Sequence, residues 1–382
     1  MNSFRFQKMD GVASFAQAEM NGHAERLRAP RRRFMRSAGM AGAAWALGAM
    51  PLTALAQHRS ADGSGVGERG IGACSFDGEP CRITGNAADT LRVEVADPRF
   101  YQYVGKRFRL DSLFDGATWA EGPAWLPQQN ALVFSDVKAN RMYRWTEETG
   151  TQTFRVPSYF ANGNAVDPEG NLITCEHGRR GISRTNARGE VTMLVDRLEG
   201  KRLNSPNDVV VKSDGTIWFS DPPYGIINDA EGKTAPSEMI GCYVYCYDPA
   251  ADRLDIATVD MFRPNGLAFS PDEKHLYVAE MSSAEFAGQG RHELVVFDVD
   301  GSRLKNRRVL ARITPGFPDG LTVDRYGVIY CSCENGLVVL LPDGKELGRL
   351  VLDKRTSNCT FSAPQTLFIT ASNSLYRLRM NP

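Results

Sequence analysis

The feature that most restricts the fold of this chain is a hairpin pattern repeated six times along it. In each copy, a short apolar strand runs into a turn rich in Pro, Asp and Gly, and a second apolar strand leaves the turn. The turns recur about every 40 to 60 residues, which is the spacing of four-stranded propeller blades. They lie at residues 127–130, 167–170, 212–215, 270–273, 324–327 and 362–365.

A single blade cannot bury both faces of its own sheet, so repeated blades must stack on one another. A closed ring of six blades covers every inner face and leaves a central channel. Segments between the hairpins, such as 142–145 and 244–247, supply further strands. The sequence therefore predicts an all-β protein, a six-bladed β-propeller of four-stranded blades over residues 106–382. A single β-sandwich would need far fewer strands.

The N-terminal residues 1–56 have the pattern of a twin-arginine export signal. Arg31 and Arg32 open a basic cluster, and an uncharged, Ala-rich stretch over residues 37–56 follows it. That stretch ends in a small-x-small pattern, which indicates cleavage after Ala56. Glycines within it argue against a stable helix of the folded domain. We therefore expect a periplasmic or secreted protein.

Residues 57–105 are expected to form a Gly/Ser-rich lead-in and an N-terminal segment before the propeller. Cys74 and Cys81 lie in this stretch, and in an oxidising compartment they could close a short disulfide loop. The eight cysteines include no paired Cys-x-x-Cys motifs, so they do not predict a zinc site.

The charge balance narrows the choice of partners. Lys plus Arg and Asp plus Glu each number 45, so the formal net charge is zero. A nucleic-acid-binding protein would need an excess of basic residues on one face. No apolar run is long enough for a convincing membrane span. We therefore expect a small-molecule partner, with no nucleic acid and no stable membrane insertion.

Oxygen-bearing side chains recur just before the first strand of several hairpins. These residues are Glu121, Asn207, Asp208, Asn265 and Asp319. Equivalent positions of successive blades point to the same end of the channel, so the side chains are expected to converge near the axis. Carboxylate and amide oxygens suit calcium, magnesium or manganese. The alternative for each residue alone is a turn or a strand-start cap.

The segments around these residues resemble the metal-site segments of the gluconolactonase/regucalcin family. They are residues 120–125, 205–208, 264–267 and 318–321. Residues 175–178 and 219–225 also resemble segments of bacterial gluconolactonases. The matches run in order from about residue 114 to the C-terminus. This resemblance implies a sugar-lactone hydrolase that needs one divalent cation, calcium first, with magnesium, manganese or zinc as alternatives.

The resemblance also implies roles for individual residues. Glu121, Asn265 and Asp319 would bind the metal directly, and Asn207 would be a fourth ligand or reach it through water. Asp208 would face the substrate, and Asn207 belongs to the substrate-binding set as well.

Two further residues are candidates for substrate binding. Ser205 stands where regucalcin has Arg, so specificity for sugar lactones is expected to differ. His177 is either a proton carrier that lines the channel or a hydrogen-bonded structural residue. Three other acids, Asp136, Asp221 and Asp298, are interpreted as blade-closing turn residues.

The chemistry that follows is hydrolysis by metal-polarised attack of water on the lactone carbonyl. A carboxylate takes the proton from water, and either Asp319 or Asp208 could be that base. No Gly-x-Ser-x-Gly elbow supports a serine hydrolase. The alternatives are a paraoxonase-like aryl esterase or organophosphate hydrolase, a strictosidine-synthase-like propeller without metal, and a non-catalytic propeller that binds a sugar or a protein.

Overall fold

The computed structural model describes residues 82–84 and 90–381. The predicted export signal, its cleavage site after Ala56, and Cys74 and Cys81 lie outside this range. Most of the described chain is antiparallel strand. Its two α-helices have one turn each, α1 (Phe100–Tyr103) and α2 (Tyr224–Ile227). No helix in the described residues is long and apolar enough to cross a membrane.

The strands follow one another in chain order. Three precede the first blade: β1 (Arg82–Thr84), β2 (Thr90–Val95) and β3 (Arg107–Phe114). Blade 1 contains β4 (Ala120–Leu126), β5 (Ala131–Asp136), β6 (Arg141–Thr146) and β7 (Gly150–Arg155). Blade 2 contains β8 (Ala161–Val166), β9 (Leu172–Glu176), β10 (Gly181–Thr185) and β11 (Val191–Val195). A small ribbon follows, made of β12 (Arg197–Leu198) and β13 (Lys201–Arg202).

The remaining blades repeat the arrangement. Blade 3 contains β14 (Val209–Val211), β15 (Ile217–Asp221), β16 (Tyr243–Asp248) and β17 (Arg253–Thr258). Blade 4 contains β18 (Pro264–Phe269), β19 (His275–Glu280), β20 (Glu293–Asp300) and β21 (Arg303–Arg312). Blade 5 contains β22 (Leu321–Val323), β23 (Ile329–Cys333), β24 (Gly336–Leu340) and β25 (Glu346–Leu352). Blade 6 contains β26 (Thr356–Ala363), β27 (Thr366–Ala371), β28 (Ser374–Asn381) and the N-terminal strand β3.

The prediction of a six-bladed propeller with four-stranded blades is confirmed. Each hairpin of the sequence pattern forms the first two strands of a blade. The second strands β5, β9, β15 and β23 are buried at every residue. They lie inside a sheet that is covered by a neighbouring blade on each face, which explains why their sequences are apolar or small rather than alternating.

The ring closes by pairing the two ends of the propeller domain. In blade 6, β3 is the outermost strand and pairs antiparallel with β28, with Leu110 opposite Leu378. Both leucines are fully or almost fully buried. Arg377 adds an ion pair across this seam, because its Nε lies 2.9 Å from Asp111 Oδ2. Closure therefore depends on contacts between residues more than 250 positions apart in sequence.

Aromatic contacts bridge neighbouring blades. Trp125 of blade 1 stacks on Phe368 of blade 6, with ring centroids 5.6 Å apart. Trp218 of blade 3 meets Phe269 of blade 4 edge to face at 5.7 Å. Because aromatic side chains bury large apolar areas, these pairs contribute strongly to the interfaces between blades.

Acids at the ends of second strands fix the loops that enter the blades. Asp136 accepts the backbone N–H groups of Thr118 and Trp119, each at 2.9 Å. Asp221 accepts the N–H of Asn204 at 2.8 Å. Both acids are the last residues of strands and hold neighbouring loops, although neither lies in a turn. The interpretation is wrong for Asp298, which lies within β20 and pairs with Arg308 on the surface.

The segment before β3 lies on the outer edge of blade 5. There β2 pairs antiparallel with β25, with Val93 opposite Leu350, and β1 pairs with β2. Leu91 and Phe100 are fully buried in the apolar cluster of this blade. An unpaired outer strand would offer free backbone groups to other chains, and these extra strands cover that edge.

The closing seam predicts a specific loss of stability. Replacing the fully buried Leu378 by Ala removes apolar contacts on both sides of β28, so we expect the free energy of unfolding to fall by about 2–5 kcal/mol. Denaturant titration measures the change. The matched control is Val309→Ala on β21, where the side chain is 46% exposed and the expected change is within about 0.5 kcal/mol. Equal effects of the two variants would contradict the importance of the seam.

Candidate functional site

The candidate site lies where the first strand of each blade begins. Glu121 of blade 1 is opposite Ser135, and the N–H groups of Asn207 and Asp319 bond to the carbonyls of Ser220 and Ser332. Ser135, Ser220 and Ser332 are equivalent residues of three second strands, so the three polar residues share one register. The same register in the six blades is occupied by Glu121, Asn162, Asn207, Asn265, Asp319 and Ser357.

The next residue of each first strand brings the blades close together. It is Gly in blades 1, 2, 4 and 5, and Asp208 and Asn358 occupy it in blades 3 and 6. A Cβ atom at Gly163 would lie 2.4 Å from Asp208 Oδ1, and one at Gly320 would lie 2.0 Å from Asn358 Cγ. Larger residues at these glycines would therefore push the inner strands apart. Because the four glycines have no side chains, the polar groups of neighbouring blades can converge near the axis.

The sequence-predicted site residues are all buried. Glu121, Asn207, Asp208, Asn265, Asp319, His177 and Ser205 are each at most 6% exposed. Asp208 and Asn358 belong to opposite blades of the ring, and Asn358 Nδ2 donates to Asp208 Oδ2 at 3.2 Å. This hydrogen bond therefore spans the central axis of the propeller. Its two residues each lie one position after the register that holds Glu121 and Asp319.

Burial shifts the ionisation of the three central carboxyls. It raises the pKa of Asp208 to about 7, although the Val209 N–H and the Asn358 amide hydrogen-bond to the carboxylate. It also raises the pKa of Asp319 to about 6, against the opposing effect of Arg355. The pKa of Glu121 lies well above its usual range, because burial acts together with the negative charges of Asp319 and Asp208. Without a nearby cation, these three carboxyls therefore hold protons more readily than exposed carboxyls do.

Two predicted substrate-binding residues already have protein partners. Ser205 Oγ donates to the Pro222 carbonyl at 2.6 Å and accepts the Gly225 N–H at 2.9 Å. It therefore ties two loops together in this structure. His177 contacts the Glu231 carbonyl through Nδ1 and the Asn162 side chain through Nε2.

The structure adds residues that sequence reasoning missed. Asn162 belongs to the six-residue register described above, called the inner ring from here on, and Asn358 follows its blade 6 member by one residue. Aligning all six hairpins by their second strands would have found both. Arg355 lies with Nη2 3.4 Å from Asp319 Oδ2. Trp119 donates from Nε1 to Glu121 Oε1 at 3.3 Å, and the Arg355 guanidinium lies 5.1 Å from its ring centre. No sequence signal marks Arg355, because its contact joins blade 6 to blade 5.

The donor set determines which cation could fit here. Among residues 82–84 and 90–381, no three His, Cys, Asp or Glu side chains form a metal-binding group. The predicted ligands instead combine the carboxylates of Glu121 and Asp319 with the amides of Asn207 and Asn265. Such hard oxygen donors suit a divalent ion like calcium. Buried carboxylates are costly without nearby positive charge, so the charge of this site also fits a cation.

Comparisons with known proteins identify a matching family and several relatives. The family model described as "SMP-30/Gluconolactonase/LRE-like region" matches residues 119–373. A gluconolactonase of Zymomonas mobilis is 34% identical, over 71% of this chain and 84% of its own length. A pentonolactonase of Haloferax volcanii is 27% identical, over 66% of this chain and 81% of its own.

A solved structure of a gluconolactonase from Xanthomonas campestris is 39% identical, with a TM-score of 0.71. It covers 82% of this chain and 99% of the solved chain. The match of the family model includes Glu121, Asn207, Asp208, Asn265 and Asp319, and so every blade that supplies a candidate ligand. The chain belongs to the SMP-30/gluconolactonase/LRE-like family.

Proposed function

We propose that this protein is a divalent-cation-dependent hydrolase that opens sugar lactones. The observation that carries the proposal is the group of three buried carboxyls, Glu121, Asp208 and Asp319, which lie at or just before the first strands of three blades and converge at the axis. The similarity to the gluconolactonase of Zymomonas mobilis and the pentonolactonase of Haloferax volcanii supports a lactone as the substrate class.

In this proposal, Glu121, Asn207, Asn265 and Asp319 hold the cation. When bound, the cation supplies polarisation of the lactone carbonyl and stabilises negative charge on its oxygen. Calcium is the first candidate, since all four donors are hard oxygen atoms, and magnesium, manganese and zinc are alternatives. Arg355 pairs with Asp319, and its guanidinium also lies over the ring of Trp119.

Asp208 is the better of the two candidate bases. Asp319 already bonds to Arg355 and is assigned to the cation, whereas Asp208 receives uncharged donors, among them the Val209 and Leu267 N–H groups and the Asn358 amide. A base works best when its pKa lies near the working pH, and burial raises the pKa of Asp208 to about 7. Asp208 would take the proton as water attacks the carbonyl carbon. The bond between the carbonyl carbon and the ring oxygen then breaks, Asp208 passes the proton to the ring oxygen, and a hydroxy acid is released.

The metal assignment predicts linked losses. Glu121→Gln and Asp319→Asn each remove a charged donor from the same ion, so we expect metal affinity and lactonase rate to fall together, by about 10-fold or more. Metal titration beside initial rates on glucono-1,5-lactone measures both. Asp298→Asn is the matched control, because Asp298 pairs with Arg308 on the surface. Full activity of Asp319→Asn in metal-stripped protein would exclude this mechanism.

The role of Asp208 predicts a different result. Asp208→Asn keeps an oxygen acceptor for the Val209 N–H but cannot take a proton. We expect metal affinity to stay within about 2-fold of wild type while kcat falls by about 100-fold or more. Asp319→Asn is the comparison variant, and it should lose both metal affinity and kcat. A variant that binds metal and turns over normally would assign the base to another group.

A substrate panel separates the alternatives. Metal-stripped protein is assayed with each divalent ion restored, on lactones, aryl esters and a phosphotriester. Hydrolysis of aryl esters or the phosphotriester without lactones would favour the paraoxonase-like alternative. Binding without turnover of any substrate would favour a non-catalytic sugar- or protein-binding propeller.

We also propose export of the protein through the twin-arginine route to the periplasm or beyond, on the pattern around Arg31 and Arg32. Replacing both arginines by Lys should retain the precursor inside the cell, and fractionation followed by immunoblotting measures its location. The single change Arg36→Lys outside the pair is the control and should leave export intact. Normal export of the double variant would contradict the proposal.

A further inference from the structure

Asn162 occupies the same register in blade 2 as the candidate ligands occupy in the other blades. The backbone carbonyl oxygen of Asn162 would lie 2.2 Å from a Cβ atom built at Gly122 in blade 1. On the other side, the backbone N–H of Gly163 donates to the Asn207 carbonyl of blade 3 at 2.7 Å. The residue is 5% exposed. It therefore lies between Glu121 and Asn207 in the inner ring, although no sequence motif marks it.

The orientation of its amide follows from His177. His177 Nδ1 lies 2.9 Å from the Glu231 carbonyl, which can only accept, so Nδ1 carries a proton. The ring is 1% exposed, and burial lowers its pKa, which favours the neutral form. In that form Nε2 has no proton and accepts a hydrogen bond. Asn162 must therefore present its NH₂ group to Nε2, 3.3 Å away.

This arrangement leaves the other end of the amide free. With Nδ2 held by His177, Asn162 Oδ1 lies on the opposite side of the amide carbon. Within the described part of the chain, no donor bonds to Oδ1. This oxygen is not sealed off from solvent, so a ligand hydroxyl can reach it and donate a hydrogen bond to it. The site therefore offers an oriented, neutral acceptor beside its carboxylates.

The support for His177 is itself well fixed. Glu231 belongs to the long connection between β15 and β16, and its side chain pairs with Lys138 at 3.5 Å. A Cβ at Gly225, in the same connection, would lie 2.5 Å from His177 Cβ. The connection therefore packs directly on the imidazole and holds it in place.

We propose that Asn162 is a substrate-binding residue whose amide oxygen accepts a ring hydroxyl of the lactone, and that His177 is the positioning residue which sets this orientation. The inference rests on the proposed lactonase function. Polyhydroxy lactones supply O–H donors that an unsubstituted lactone lacks. A buried acceptor built for a hydroxyl discriminates strongly against a substrate without one.

The first experiment compares two lactones in Asn162→Leu, which removes the acceptor at similar volume. We expect kcat/KM for glucono-1,5-lactone to fall about 10-fold or more, while kcat/KM for δ-valerolactone stays within about 2-fold. Metal affinity should not change. Equal losses on both lactones, or a parallel loss of metal affinity, would overturn the assignment to a hydroxyl. Ser135→Ala, which removes a bond to the Asn162 carbonyl, is the control for stability alone.

The second experiment tests the positioning role. His177→Leu removes the acceptor and should show the same loss of discrimination between the two lactones, whereas His177→Gln retains an oxygen that can accept from Asn162 and should restore much of it. Nitrogen-15 NMR of labelled wild-type protein should show His177 protonated at Nδ1 and bare at Nε2. A proton on Nε2 would overturn the positioning role.

The two readouts also separate this inference from the proposed function. If wild-type protein hydrolyses neither lactone with any divalent ion, the proposed function is wrong, and the hydroxyl contact is wrong with it. The NMR result does not depend on activity and then decides the positioning role alone.

Discussion

The close approach of the six inner strands around the axis is the constraint on which the site depends. Gly122, Gly163, Gly266 and Gly320 stand where any side chain would strike the neighbouring blade, at 2.0 to 2.4 Å from a Cβ. Because these positions are empty of side chains, polar residues from different blades come within reach of one another. The fold thus concentrates carboxylates that no single blade could bring together.

That concentration has an electrostatic cost, which the structure meets in several ways. Arg355 pairs with Asp319, and Asn358 donates to Asp208 from the opposite blade. Glu121 receives a hydrogen bond from Trp119 and still has a pKa well above its usual range. Proteins tolerate such groups mainly where function needs them. A bound cation would offset the remaining charge and lower these pKa values.

The connection between β15 and β16 fixes the orientation of side chains next to the inner ring. Ser205 and His177 both lie in segments that the sequence singles out, and both are held by backbone carbonyls of the connection after β15. Both side chains therefore hold neighbouring groups in this structure. This distinction matters for specificity, since an oriented amide such as Asn162 recognises a hydroxyl only if its own rotation is fixed.

The sequence by itself determined the propeller and much of its inner ring. Hairpin spacing fixes the number of blades, and the family-like segments mark Glu121, Asn207, Asp208, Asn265 and Asp319, because local pattern and register are properties of a single blade. The tertiary structure decided the contacts between blades, namely Asp208 with Asn358, Asp319 with Arg355, and Asn162 with His177. Those pairs depend on the rotation between blades about the axis, which is set when β3 closes the ring on β28. The spacing of residues along the chain gives neither that rotation nor the distances between side chains of different blades.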